Sequence, residues 1–485
     1  MGHQQRILGG VLFALGATLS GVVLPHRAAA DEATWNLRSA AVVPVTPTDG
    51  LEVDGVGSYA GAIDVVPSGS LLGVVNDVGF EDYLRGLAEV PPTWPAAALE
   101  AQAVAARTYA LWAVLSRLSG PWSTLGAQIC SDDSCQVYAG LARRSEPGDP
   151  AWDAAVSATA GQVLLYQGRV IEAEYGSSDG GRTRSGGVPW LPSVDDPDDA
   201  VSPLHSWSWT VPASSVAAPL GVPSGWQLVG MSGDSRSVTV DMRSDDGRRT
   251  SSQTVSGSWV HEVLNTRMGP PAGLPLALPS WTYQFSTSGP PQSPSISVAG
   301  AGFGNQVGMS QYGALGKAQR GESAGDILAS YYGGIRPTRL LPGQEPAKIR
   351  VALAENMGGV TVRSSAPVDL VGADGTAVAR LPAGVYSFTP EAGGVQVRGP
   401  SGSAPRVVIQ DASTPQTVPA AAMVATAQTS PAPVPTPAFA SALDVPRSGS
   451  GGSGPWKVLA GLADAAVGLA LIRRAARLRT ARPAR

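Results

Sequence analysis

A chain of 485 residues with 43% hydrophobic content is long enough for more than one buried core. Only 15% of its residues are charged and the net charge is −4, with no basic domain and no run mixing Lys or Arg with aromatics, so nucleic acid is excluded as a partner. Lysine is confined to Lys317, Lys348 and Lys457, and arginine supplies the remaining positive charge.

The first 30 residues read as an export signal. Arg6 gives a positive start, residues 7–24 are apolar, and Ala28-Ala29-Ala30 before Asp31 offers a small-residue cleavage site. An uncleaved anchor is the rival reading. Residues 31–56 are Pro-rich and read as an irregular segment. Two apolar runs, 62–66 and 71–75, then read as strands.

Residues 82–115, DYLRGLAEVPPTWPAAALEAQAVAARTYALWAVL, come next. Pro95 suits a helix start, where its missing N–H is no loss, and the Ala-rich run behind it has no Gly or Pro to break it. Alanine on every face implies close packing by neighbours on all sides. Just before this helix, Glu89 lies among Leu87, Val90, Pro91, Pro92 and Trp94. Desolvation there would raise its pKa and make it a general acid at neutral pH, while a turn-capping or Arg-paired carboxylate is the plainer alternative.

Cys130 and Cys135 are the only cysteines; a close pair in an exported chain reads as a disulfide. Residues 151–160 form a short helical pattern ended by Gly161, and 163–166 with 170–175 read as a hairpin about Gln167-Gly168. Asp195, Asp196, Asp198 and Asp199 crowd the loop between Trp190 and Trp209, which reads as a solvated acidic loop in preference to a cation site. Residues 210–290 look β-rich. Residues 311–320 predict a helix stopped by Gly321, and Ser323 with Asp326 predicts a capped start for another.

Residues 347–411 alternate brief strands with Gly and predict a small all-β module. Residues 412–455 are Pro/Ala/Ser/Gly-rich and read as an extended linker. In the apolar run 456–472, Asp464 costs about 2.5–3.5 kcal/mol at mid-span, which the Leu, Val and Ile residues roughly balance. The basic tail 473–485 behind it gives the positive-inside arrangement of a single-span anchor. An amphipathic tail resting on a membrane surface is the other reading.

Three ordered blocks of this chain resemble the SpoIID/LytB family. The first is residues 83–109, with Tyr83, Gly86, Glu89, Trp94, Pro95, Gln102, Arg107, Thr108 and Tyr109 in the family's pattern. The second runs from Thr159 to Thr183 through Tyr166, Gly168, Tyr175, Ser177, Ser178, Gly180 and Gly181. The third is residues 302–314, GFGNQVGMSQYGA. Two departures stand out: Gly86 and Glu89 are two residues closer than in the family pattern, and Asn305-Gln306 replaces its His-Gly. Relatives bind zinc through histidines beside such cysteines; here Ser134 stands next to Cys135, and neither His205 nor His261 has ligand spacing, so no metal is expected.

The resemblance implies an α+β fold, a β-rich domain over residues 57–336 built on the central Ala-rich helix. It also implies cleavage of peptidoglycan glycan strands by a lytic transglycosylase reaction, with Glu89 as catalytic acid and no cofactor. The rival reading is a LytB-like amidase enhancer, which holds wall material without cutting it and partners a cell-wall amidase. Gln102, Tyr109, Tyr175, Ser177, Ser178, Thr183, Asn305 and Gln311 are the expected substrate-binding residues, each also suited to a scaffold role. The G-x-S-x-G match at 176–180 is set aside, because residues 181–192, GRTRSGGVPWLP, cannot start the helix that a nucleophile elbow requires.

Overall fold

The computed structural model describes residues 32–37, 41–44 and 50–400, the last apart from 117–119, 147, 373–374, 376 and 392–393. The export signal, the linker, the apolar run 456–472 and the basic tail lie outside the described residues. The fold is mixed α+β and β-rich, as the sequence predicts. Seven helices are described: α1 (Phe80–Arg85), α2 (Ala96–Ser116), α3 (Asp149–Ala158), α4 (Ala213–Ala217), α5 (Gly257–Arg267), α6 (Gln311–Gln319) and α7 (Ala324–Tyr331). Among the described residues no helix is long and apolar enough to cross a membrane.

Helix α2 is the hub. It buries 15 of its 21 residues, so its alanines are not an exposed face but the spacing that lets neighbours close in on every side. Arg107, inside the helix and fully buried, holds two of those neighbours together. Its guanidinium donates to the Thr159 and Val156 carbonyls at the end of α3, at 2.8 and 3.0 Å, and to Glu81 of α1 at 3.1 Å. Thr108 turns its hydroxyl back to the Val104 carbonyl and accepts the Leu164 N–H at 3.0 Å, which ties the next chain segment to the same helix. Trp152 of α3 donates its indole N–H to the Leu84 carbonyl of α1.

Two sheets flank this core. One runs Ala377–Leu381, Val368–Gly372, Ala41–Pro44, Ala62–Ser68, Leu71–Gly79, Lys348–Met357, Ile129–Cys130; the other runs Glu32–Leu37, Gly394–Pro400, Gly384–Glu391, Val360–Ser364, Leu51–Val53, Gly57–Tyr59. Residues 31–56 are therefore not irregular as predicted: they contribute Glu32–Leu37, Ala41–Pro44 and Leu51–Val53. The described strands of 347–411 share both sheets with strands from 32–79, and their apolar side chains enter the same core as α2. Local composition could not reveal this pairing, since the partners lie some 300 residues apart in sequence.

The β-rich stretch forms a third sheet, Ser206–Pro212, Ser295–Ala301, Thr282–Ser288, Trp226–Asp234, Ser237–Ser244, Thr250–Ser256, with α4 and α5 against it. Its core, built from Trp207, Trp209, Phe285, Val298 and their neighbours, is separate from the one around α2. The predicted hairpin exists in shorter form: Leu165–Tyr166 pairs with Arg169–Val170 about Gln167 and Gly168, both at positive φ. The chain then leaves the hairpin, and Tyr175–Gly176 pairs in parallel with Met309–Ser310, which joins the second and third sequence blocks.

Candidate active site around Glu89

Glu89 precedes α2 and sits in the sequence block whose loop is two residues short. It is 1% exposed, and no guanidinium or ammonium pairs with it among the described residues. Its Oε1 accepts two hydrogen bonds, from the Val137 N–H and from the Tyr175 hydroxyl, both at 2.9 Å. Its Oε2 is buried without a hydrogen-bond partner among the described residues. Desolvation dominates and pushes its pKa up to about 7, against smaller opposing effects from Val137, Tyr175 and Gln311. A carboxyl group so placed carries its proton near neutral pH and has one oxygen free to present it.

The donor to Oε1 is itself oriented. Tyr83 donates to Gln136 Oε1 at 2.9 Å, which fixes the amide so that Gln136 Nε2 donates to the Tyr175 oxygen at 2.8 Å. The Tyr175 hydroxyl hydrogen is thereby left for Glu89. Gln136 is fully buried, and sequence reasoning missed it. Its signal was its place directly after Cys135. The Cys130–Cys135 disulfide is present, with Cα atoms 5.5 Å apart, and it closes the turn that carries both Gln136 and Val137 to Glu89.

Of the eight residues expected to bind substrate, three gather here. Tyr175 bonds Glu89 directly, Gln311 of α6 lies within hydrogen-bonding reach of the same carboxyl, and Gln311 Nε2 meets Gln102 Oε1 of α2 at 3.4 Å. The other five do not. Tyr109 is buried against Trp112. Ser178 donates to Asp199 at 2.7 Å, and Ser177 offers its carbonyl to the Tyr312 N–H at the start of α6. Thr183 accepts the Val194 N–H, and Asn305 bonds Glu174. The side chains of Ser178, Thr183 and Asn305 are engaged in the turns around the site, and Tyr109 lies within α2.

The acidic loop is the clearest correction. Asp196 and Asp199 are fully buried, not solvated, and Asp179 from the 176–181 turn joins them. Asp199 accepts from the Ser178 and Ser310 hydroxyls at 2.7 Å, from the Asp179 and Gly180 N–H groups at 3.1 and 3.0 Å, and pairs with His205 Nδ1 at 2.9 Å. Lys317 of α6 reaches Asp196 at 2.8 Å and Asp198 at 3.0 Å, and the Tyr331 hydroxyl also bonds Asp196. Oxygens of Asp179, Asp196 and Asp199 lie within 4.8 Å of one another, the one carboxylate group with metal-holding spacing among the described residues. The Lys317 ammonium already supplies a cation there. Asp179, left beside two other carboxylates, is raised well above the ordinary range by burial and their charges, so a proton on it completes the compensation.

The cluster explains the glycine in the third block. A side chain at Gly313 of α6 would come within 1.9 Å of Asp196 and 2.1 Å of the Tyr331 hydroxyl. The same region disposes of the G-x-S-x-G match: Ser178 and His205 both bond Asp199, so the imidazole is on the carboxylate and not on the hydroxyl.

The profile of the family described as Stage II sporulation protein (SpoIID) matches residues 68–166, which span the α1–α2 core, Glu89 and the disulfide. The chain is 29% identical over 279 residues to Stage II sporulation protein D of Bacillus subtilis, covering 54% of this chain and 75% of that one. These matches support the SpoIID/LytB family for this part of the chain. Two further relatives extend the picture. An uncharacterised protein of Brachyspira hyodysenteriae is 28% identical over 297 residues, 59% of this chain and 74% of its own. The amidase enhancer of Bacillus subtilis is 28% identical over 291 residues, 52% of this chain but only 39% of that longer protein.

Proposed function

We propose that this SpoIID-family protein acts outside the cytoplasm on the cell wall and cleaves peptidoglycan glycan strands as a lytic transglycosylase. The observation that carries the reading is Glu89 itself: buried, unpaired with any cation, held at Oε1 by two donors and bare at Oε2. In the reaction Glu89 gives its proton to the glycosidic oxygen as the bond from that oxygen to C1 of the muramic acid residue breaks. The resulting carboxylate takes the proton of that sugar's C6 hydroxyl while the C6 oxygen bonds to C1. The product is a 1,6-anhydro end and the acid is restored. One carboxyl group suffices, because no water has to be activated from the opposite face. A group with pKa about 7 suits both halves of the cycle.

The second reading, a wall-binding amidase enhancer, draws on a relative of that name and on the same burial: at 1% exposure, Glu89 meets a glycan only if the residues around it give way. Digestion of peptide-free glycan strands separates the two. The wild-type protein is expected to generate anhydro ends by mass, and Glu89→Gln to lose them by at least about a thousandfold, the scale of an acid essential to bond cleavage. Glycan capture without anhydro ends from either protein leaves the enhancer reading. For the enzyme, kcat/KM falls about tenfold per pH unit above pH 7, where Glu89 loses its proton.

A further inference from the structure

Eleven other buried polar atoms among the described residues lack hydrogen-bond partners, as Glu89 Oε2 does, and three of them lie on segments packed near Glu89. Gln102 Nε2, Gln311 Oε1 and the Tyr312 hydroxyl are buried without partners, although their residues are 1%, 1% and 5% exposed. Buried polar groups are almost always satisfied, and leaving one bare costs about 1–3 kcal/mol. Two on amides linked to one carboxyl group point to something that completes them. The two glutamines are linked, Gln311 Nε2 donating to Gln102 Oε1, and Gln311 also reaches Glu89. What the pair leaves over is the Gln102 amide nitrogen, with both N–H donors free, and the Gln311 carbonyl acceptor.

We propose that the Gln102–Gln311 pair reads a secondary amide of the substrate, the 2-acetamido group of the muramic acid residue at the scissile bond. A secondary amide has one carbonyl for the free donor and one N–H for the free acceptor, and a sugar hydroxyl matches this pattern less specifically. The inference rests on the reading of Glu89 as the glycan-cleaving acid, because that reading sets which amide is near. The acid must reach the oxygen on C1, and C2, the next carbon, bears the acetamido nitrogen. The amides of a stem peptide begin beyond C3 and its lactyl group, farther from Glu89. The amide pair therefore holds C1 beside the carboxyl through the neighbouring carbon, and the Trp94–Tyr312 contact, with ring centres 5.2 Å apart, joins the segments flanking Glu89 and Gln311.

The test uses the full chain carrying Glu89→Gln, so that strands stay intact. It measures binding to peptide-free glycan that has been de-N-acetylated, to the same glycan re-N-acetylated, and to strands still bearing stem peptides. Re-N-acetylated glycan is expected to bind about tenfold tighter than the de-N-acetylated form, as two hydrogen bonds of ordinary strength allow. Gln102→Met in that background brings the preference to within about twofold. Gln102→Glu reverses it toward the free amine, a gain that a misfolded variant cannot produce. The proposal falls if the acetyl preference is absent at the outset, if it survives Gln102→Met or Gln102→Glu, or if it follows the stem peptide. Failure here with anhydro ends still made by the wild type leaves the enzyme reading standing. Acetyl preference lost in the Gln102 variants, without anhydro ends from any protein, leaves this subsite standing and removes catalysis.

Discussion

Two buried carboxylates near the start of α6, Glu89 and Asp199, show how differently one chain treats the same chemical group. Asp199 is met by five donors, two hydroxyls, two backbone N–H groups and a histidine, and it pins the 176–181 turn to the start of α6. Glu89 accepts two hydrogen bonds, both on one oxygen, with Gln311 within reach of the carboxyl and the other oxygen without a hydrogen bond. Burial is common to both and so does not distinguish scaffold from site. The distribution of partners does: a carboxylate whose lone pairs are all engaged can only hold structure, whereas one left half-satisfied is unstable as it stands and reactive toward what enters.

The contrast is broken most severely on the structural side. Asp199→Ala strands five donors in a dry interior and is expected to destabilise the fold by about 3–5 kcal/mol, read from chemical denaturation. A loss below about 1 kcal/mol would mean that water reaches the cluster and that Asp199 organises nothing.

Glu89→Gln is expected to move stability the other way. Glu89 keeps its proton up to about pH 7 in the fold but loses it near pH 4.3 in the unfolded chain. Between those values the native state binds the extra proton, so wild-type stability falls as pH rises through the window and stays lower above it. Glutamine has no proton to lose. The two proteins therefore coincide below about pH 4, and at pH 8 the variant is the more stable by about 3 kcal/mol. Equal stability at pH 8 would show that Glu89 is ionised at no cost and that its bare oxygen is solvated.

The disulfide tests how the site is held. Cys130→Ser with Cys135→Ser opens a loop of five-residue separation, worth about 2 kcal/mol of stability. The same pair carries Gln136 and Val137, so glycan cleavage is expected to fall in the double variant even at temperatures where the fold is intact. Unchanged cleavage would mean that the turn is set by its backbone pairing alone.

Much of this was readable in the residues. The Ala-rich run gave α2 to its first residue but one, and Ser323 with Asp326 gave the start of α7, because helix signals are local. Glu89 was visible as an acid in apolar company, and Gln102 and Gln311 as amides in matching blocks. What stayed hidden was long-range. Nothing near residue 199 says that Asp199 is dry, since its donors come from 178–180, 205 and 310; nothing near 136 says that Gln136 will turn Tyr175 toward Glu89. Ser177, Ser178 and Thr183 looked like sugar-binding hydroxyls for the same reason. A polar side chain in a Gly-rich turn reads alike whether it faces a ligand or a buried carboxylate.

The smallest change carries the sharpest question. Tyr175→Phe removes one neutral donor from Glu89 Oε1 and leaves Gln136 Nε2 with the Ala106 carbonyl at 3.3 Å, so the fold is expected to lose only about 1 kcal/mol. The hydroxyl favours the ionised form of Glu89, so its loss raises the pKa of the acid further. The alkaline limb of the cleavage profile should then move up by about one pH unit, the equivalent of one hydrogen bond to a charged group, while the rate at pH 6 changes less than about tenfold. A collapse of activity at every pH, as deep as that of Glu89→Gln, would mean that the phenol moves the proton itself. In that case the bare oxygen of Glu89 would be a vacancy in the scaffold, and the difference between the two carboxylates would be one of stability alone.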